Sequence, residues 1–532
     1  MIWHIFKKDL KLLWPLVLIV AVAEAMNDTM WVMVGFFLEP ISLRRIAALL
    51  SLGLVIGIVA LIVSAVHQDT LPGDRQDWLV RPIRRRDLIL AKILFVLLAV
   101  HGPYLLMDIA QGMSMGFSFW DSLSAAFARS IHLLWVISLP VLAIAAITST
   151  IVEVVGALMV IALVLFAFIT VIQVSTPAFA EHTFSAMSSH WLMLLLWSAG
   201  GLLAALVVIP LQYYRRRTMT ARVIALSALF ILPLLSAAIP WSSAFAFEQW
   251  LSPDAAAARP VAIAFDPSLG RVVLRPDMPN RGDSVWLPLR LSGLQPNSIV
   301  LNVRTIVRIV GQGGAILYSG WSVGDNVQNG SSVSSTDAFP PKPSSGDTVG
   351  NHQFIILPHK VYESVRSQRV RLELDYSFSL SRLEGSDAIP ALNGEGQISG
   401  LGKCRTKLDD DGDEVVVACV RTTHVPTACA TAVLENAVNG KQNPLRSDCS
   451  TDWLPDNAHY YPNALTYAFF DLAFRDPQGL AKYPVDGEQL AQARVSIKSY
   501  KPIAHFTRHL VIPEIRLGDW EAQTASGAAA AR

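Results

Sequence analysis

Cysteine is scarce in this chain: four in 532 residues, Cys404, Cys419, Cys429 and Cys449, all in the C-terminal half. Apolar runs long enough to cross a bilayer are missing after about residue 240, although they crowd everything before it. Charge is sparse at 16%, and a formal net charge of +1 leaves no global basic surface for nucleic acid. Catalytic signatures are also absent. There is no HExxH, no GxSxG and no GxxxxGK[ST], so the chain alone cannot bind ATP in the P-loop manner. His505 and His509 have no third ligand in sequence and read as ordinary histidines. Together these absences leave no enzyme class and predict no metal or cofactor held by this chain.

What remains is a division into two kinds of sequence. A hydrophobic content of 52% and a mean hydropathy of +0.41 describe a membrane protein, and the apolar excess belongs to the first 240 residues. Residues 1–13, with Ile2, Phe6, Leu10 and Leu13 on one helical face and Lys7, Lys8 and Lys11 largely elsewhere, read either as an interfacial amphipathic helix or as the polar start of the first span. Seven spans are predicted within a membrane domain of residues 14–240, at about 14–37, 46–66, 90–112, 129–149, 152–174, 191–213 and 221–240. An interior N-terminus puts nearly every loop Lys and Arg inside, Arg44 and Arg45 excepted, and puts everything after Trp241 outside. The expectation is thus a multi-pass protein of the cell (inner) membrane with a cytoplasmic N-terminus and an extracytoplasmic C-terminal domain.

The cytoplasmic segment 67–92, HQDTLPGDRQDWLVRPIRRRDLILAK, is the densest basic run in the chain. Two readings stand for its arginines: contact with a partner, or retention of topology against anionic headgroups, where each contributes on the order of 1 kcal/mol. Ionisable groups within the spans are functional candidates because hydrocarbon penalises them. Glu24, Asp28, Asp108 and Glu153 are the carboxylates of this kind, with His101 and His132 beside them, and they either reach the interface at span ends or line a polar cleft.

After a linker at 241–260, residues 261–532 change to period-two alternation. In Arg369–Tyr376, Val370, Leu372, Leu374 and Tyr376 face one way and the charges face the other, which is the pattern of a half-buried strand. Many such strands between Gly, Pro, Asn and Ser turns predict a mainly-β, sandwich-like domain. The run LDDDGDE fails as an EF-hand loop because Lys407 and Ala418 fall at ligand positions. Asp411-Gly412 suits a two-residue hairpin turn instead, which sets Cys404 opposite Cys419 at disulfide reach. The expected bonds are Cys404–Cys419 and Cys429–Cys449, in an oxidising compartment, against the alternative of four free buried thiols.

The ordered set of an amphipathic FKKDLKLLWP entry, two spans, Trp78, Arg81-Pro82-Ile83, Arg84–Arg86 and Lys92 at the entry of the next span resembles the permease subunits of ABC-2 type transporters. The resemblance covers residues 1 to about 240. It implies a homodimeric permease, an exporter, whose 67–92 loop docks through Asp77, Trp78, Arg81, Pro82, Ile83, Arg84, Arg85 and Arg86 onto a separate P-loop ATPase subunit that carries the ATP and Mg. A seventh span and a large outer domain depart from the minimal six-span form. The alternative is a membrane-anchored receptor or scaffold whose outer β-domain binds an envelope ligand without transport.

Overall fold

The structure is a computed structural model, and it describes residues 1–36, 41–69, 84–175, 190–238, 241–267, 283–322, 333–334, 352–408, 414–422, 429–436, 446–449, 464–473 and 490–520. The N-terminal region is helical: α1 (Ile2–Gly35), α2 (Ile41–His67), α3 (Arg85–Ser114), α4 (Phe119–Ile147), α5 (Ile151–Ser175), α6 (His190–Pro210), α7 (Thr218–Ala238) and α8 (Trp241–Trp250). Among the described residues five helices are long and apolar enough to cross a membrane, at Arg45–His67, Arg85–Ser114, Phe119–Ile147, Leu195–Arg215 and Thr218–Leu235. The expected count of seven is therefore corrected to five. The predicted first span merges with the amphipathic start into one 34-residue helix, α1, whose apolar stretch is broken by Glu24, Asn27 and Asp28.

Local chemistry sets where α3 and α4 begin and end. Gly116, at φ +89°, follows α3 in the left-handed region that favours glycine, and the Phe117 amide closes back on the Gly112 carbonyl at 3.1 Å. Ser118 then caps α4, its hydroxyl oxygen accepting from the Asp121 amide at 3.1 Å. Both helices carry a π-turn, Val96–Val100 and Leu134–Ser138, each shortly before a proline, Pro103 and Pro140. His101 and Ser138 meet across the two helices at 3.0 Å beside these turns. The bundle core includes Leu61, Ile62, Phe95, Leu142 and Ala146, while Leu106, Met159, Leu203 and Leu234 face outward and stay exposed. Large apolar residues left outside in this number are what a lipid-facing surface requires.

The C-terminal region is mostly β. Fourteen strands are described: β1 (Ala262–Phe265), β2 (Asp283–Ser292), β3 (Ser298–Val310), β4 (Ile316–Ser322), β5 (Val333–Ser334), β6 (His352–Leu357), β7 (Val370–Pro390), β8 (Glu395–Ile398), β9 (Gly402–Leu408), β10 (Glu414–Arg421), β11 (Cys429–Asn436), β12 (Arg446–Cys449), β13 (Thr466–Ala473) and β14 (Ala493–Ile515). A short helix, α9 (His359–Val365), precedes β7. The long antiparallel ribbon of β7 and β14 organises the rest, in the sheet order β12-β11-β14-β7-β3-β4 with β5 paired to β3. Its register shifts at Ser499/Tyr500 and Pro502/Ala504 interrupt the ladder near mid-length. On either side of that break lie two separate cores. One, around Leu372, Leu374, Tyr376 and Phe378, is shared with the three-stranded sheet β1-β2-β6. The other, around Val415, Val417, Val495 and Ile497, is shared with the four-stranded sheet β13-β10-β9-β8.

The alternation read in Arg369–Tyr376 is present in β7, where Val370, Leu372, Leu374 and Tyr376 are buried. The Cys404–Cys419 disulfide is present, joining β9 to β10 at directly paired positions. Cys429 and Cys449 are register partners in the β11–β12 pair, and a bond between them stays an expectation.

Among the described residues, the N-terminal helical region meets the β-rich region through α8 and through the end of α1. The Phe245 ring of α8 stands edge-on to His505 of β14, centroids 5.9 Å apart, and the His505 amide donates to the Ser252 hydroxyl at 2.9 Å. At the end of α1, Phe36 packs with Met115, Val420 and Leu465, and the Lys403 ammonium lies 5.7 Å from the Phe36 ring centre.

Candidate functional site

Glu24 and Asp28 stand four residues apart on α1, and Tyr104, Asp108 and Gln111 stand at i, i+4 and i+7 on α3, so each set occupies one helical face. α4 brings Arg129 against both. Its Nη1 lies 2.6 Å from Glu24 Oε1, 2.5 Å from Asp108 Oδ1 and 3.8 Å from Asp28 Oδ1, and the guanidinium sits 5.2 Å from the centre of the Tyr104 ring. Gln111 Nε2 donates to the Asp28 carbonyl at 2.7 Å. Every one of these residues is buried. Three carboxylates thus share one guanidinium, and one oxygen from each lies within 4.8 Å of the others. A second polar link stiffens the approach: Trp31 Nε1 donates to the Ser51 hydroxyl at 3.0 Å, which donates to Asn27 Oδ1 at 2.7 Å, tying α1 to α2.

Chemically the cluster is an internal ion network with more negative than positive groups. Removing a charge from water costs several kcal/mol unless it is paired and hydrogen-bonded. A lone Arg129 compensates for one carboxylate of the three, so the arrangement has capacity for further positive charge, either protons or a cation.

A smaller ion network lies at the other end of α1. Lys92 of α3 is buried and donates to Asp9 of α1 at 2.8 Å, to Asp69 beyond α2 at 2.7 Å and to the Ala65 carbonyl of α2 at 2.7 Å. Lys8 reaches Asp69 at 2.9 Å. Burial pushes the Asp69 carboxyl up, but Lys92 and Lys8 outweigh it and hold it below the usual carboxylate range. Here charges balance two against two, and the network clamps α1, α2 and α3 where the 67–92 segment leaves and re-enters the bundle.

Of the predicted coupling residues, Asp77, Trp78, Arg81, Pro82 and Ile83 lie outside the described residues. Arg84, Arg85 and Arg86 are exposed at the start of α3. Arg85 Nη1 donates to the Tyr214 carbonyl at 2.6 Å, which draws the triplet beside the exposed Arg215 and Arg217. Of the predicted intramembrane carboxylates, Glu24, Asp28 and Asp108 come together. Glu153 does not join them: it is exposed at the start of α5, accepts from the Ser149 amide and hydroxyl at 2.8 Å each, and lies 3.5 Å from Arg222.

Sequence reasoning missed Arg129, Tyr104, Gln111, Asp9 and Asp69. Arg129 was masked by placing the fourth span at 129–149, which made it a span end. The true start was signalled by the Ser118-x-x-Asp121 cap, which moves Arg129 into the middle of α4. Comparison with known proteins finds no family model, no curated protein and no solved structure that matches this chain.

Proposed function

We propose that this chain is the membrane permease subunit of an ABC-type transporter, an exporter working as a homodimer and driven by a separate P-loop ATPase subunit that docks on the 67–92 segment. In this reading the chain is multi-pass in the cell (inner) membrane, its N-terminus and the arginine triplet are cytoplasmic, and its β-rich region is extracytoplasmic. ATP and Mg reside on the partner.

The observation that carries the reading is the buried Lys92 network. A partner pushing on the 67–92 segment needs a stiff route into the helices. Lys92 lies two turns into α3 from the exposed Arg84–Arg86 triplet and is bonded to α1 through Asp9, and at the end of α2 to Asp69 and the Ala65 carbonyl. Force applied at the triplet therefore reaches three helices through ionic contacts that a buried, low-dielectric setting makes costly to separate. The exposed arginines beside Arg215 and Arg217 supply a cationic face for an acidic docking groove.

The test is co-purification of the full chain with its ATPase and measurement of ATP hydrolysis. Trp78→Ala, or charge reversal of Arg84–Arg86 to Glu, is expected to abolish the complex. Lys92→Met is expected to keep the complex but to lower substrate-stimulated hydrolysis by about tenfold, the rate equivalent of roughly 1.4 kcal/mol. A complex and hydrolysis indifferent to all of these changes would sink the coupling role.

A further inference from the structure

We propose that the buried cluster between α1, α3 and α4 is a binding site for one hard divalent cation, Ca²⁺ or Mg²⁺, ligated by Glu24, Asp28, Asp108 and the side-chain carbonyl of Gln111. This holds independently of the transporter reading.

Charge is the first argument. Glu24, Asp28 and Asp108 bring three negative charges and Arg129 one positive, so a divalent ion is the species that makes the site neutral. Ligand chemistry is the second. Gln111 is 8% exposed, its amide nitrogen is committed to the Asp28 carbonyl, and its amide oxygen is buried and accepts no hydrogen bond. Asp28 is 3% exposed and 3.8 Å from Arg129 Nη1, beyond hydrogen-bond reach of the one cation that holds Glu24 and Asp108. A buried neutral oxygen that accepts no hydrogen bond costs folding free energy unless something completes it. Hard divalent cations take all-oxygen ligand sets of this composition at about 2.0–2.6 Å, and oxygens within 4.8 Å of one another allow a single ion to touch all three carboxylates. Access is the third. The Asp108 carboxylate meets the backbone amide of Ala464, and the neighbouring Leu465 packs on Phe36 and Met115, so an ion would reach the cluster only by displacing contacts with the β-rich region, at the end of α1 away from the Lys92 network.

Arg129 has a defined part in this. It holds Glu24 Oε1 at 2.6 Å and Asp108 Oδ1 at 2.5 Å and stands farther, 3.8 Å, from Asp28 Oδ1. Its role is positioning, since it cannot ligate a cation.

The experiment uses the full chain purified in detergent and stripped with chelator, then dialysed against CaCl₂ or MgCl₂ at fixed pH, with bound metal counted by mass spectrometry. The expected result is one ion per chain, saturably bound, with a rise in Tm. Asp28→Asn, which keeps the shape of the side chain, is expected to weaken binding by at least about tenfold. Glu153→Gln, altering an exposed carboxylate, should leave binding unchanged. Because Asp28→Asn risks misfolding, a second measurement uses the unaltered chain: Tb³⁺ should show luminescence sensitised through Tyr104 and displaced by Ca²⁺. Failure of the unaltered chain to bind either metal saturably, or absence of sensitised Tb³⁺ luminescence, overturns the proposal and leaves protons as the compensating charge. Equal binding by folded Asp28→Asn also overturns it.

Discussion

His505 shows how one side chain can report the seating of the β-rich region on α8. It lies 7% exposed under Phe245, and burial pushes its imidazole down to about 4 from an ordinary 6.5. The folded chain then refuses a proton that the unfolded chain accepts. Stability from this group is complete above about pH 6.5 and falls as pH drops toward 4, by on the order of 3 kcal/mol across the window. Thermal unfolding of the full chain at pH 7, 6, 5 and 4 should show that fall, and His505→Phe should flatten it. An identical pH slope in the variant would mean that other groups carry the dependence. Arg129 gives the complementary lesson at this scale. Glu24, Asp28 and Asp108 were readable as costly residues in apolar sequence. The cation that gathers them was hidden by a span boundary drawn ten residues too late.

At the scale of elements, legibility followed period and punctuation. The expected Asp411-Gly412 turn, whose residues lie outside the described ones, was enough to pair Cys404 with Cys419, because an antiparallel ladder fixes every partner once its centre is chosen. Helix limits were less legible. Caps, π-turns and a proline near each turn decide them, and an apolar window does not weigh these features. The long β7–β14 ribbon was not legible at all, since pairing over more than a hundred residues leaves no local mark. The disulfide offers a direct measurement. It closes a sequence separation of 15 residues, and a loop of that size is stabilised by about 3 kcal/mol through loss of unfolded-chain entropy. Cys404→Ser with Cys419→Ser should lower Tm accordingly while leaving the helical bundle assembled. Non-reduced peptide mapping should recover Cys404 with Cys419, and Cys429 with its register partner Cys449. Recovery of a Cys404–Cys429 or Cys404–Cys449 peptide would contradict the ladder.

For the whole molecule, the two ends of the helical region differ in chemistry, and that difference makes orientation testable. One end gathers Lys7, Lys8, Lys11, Arg84–Arg86 and Arg215–Arg217 around the Lys92 network. The other end carries exposed Phe119 and Trp120 at the start of α4, and Phe247 with Trp250 on α8, where the β-rich region with its disulfide is attached. Basic residues favour the cytoplasmic face and disulfides need an oxidising compartment, and these two preferences argue for the orientation proposed above. Single cysteines introduced at exposed positions can read it in intact cells. Gln312→Cys, in the β3–β4 turn, should react with a membrane-impermeant maleimide without permeabilisation, and Arg86→Cys should react only after it. Labelling of Arg86→Cys in intact cells with protection of Gln312→Cys would invert the orientation and, with it, put the arginine triplet out of reach of any cytoplasmic ATPase.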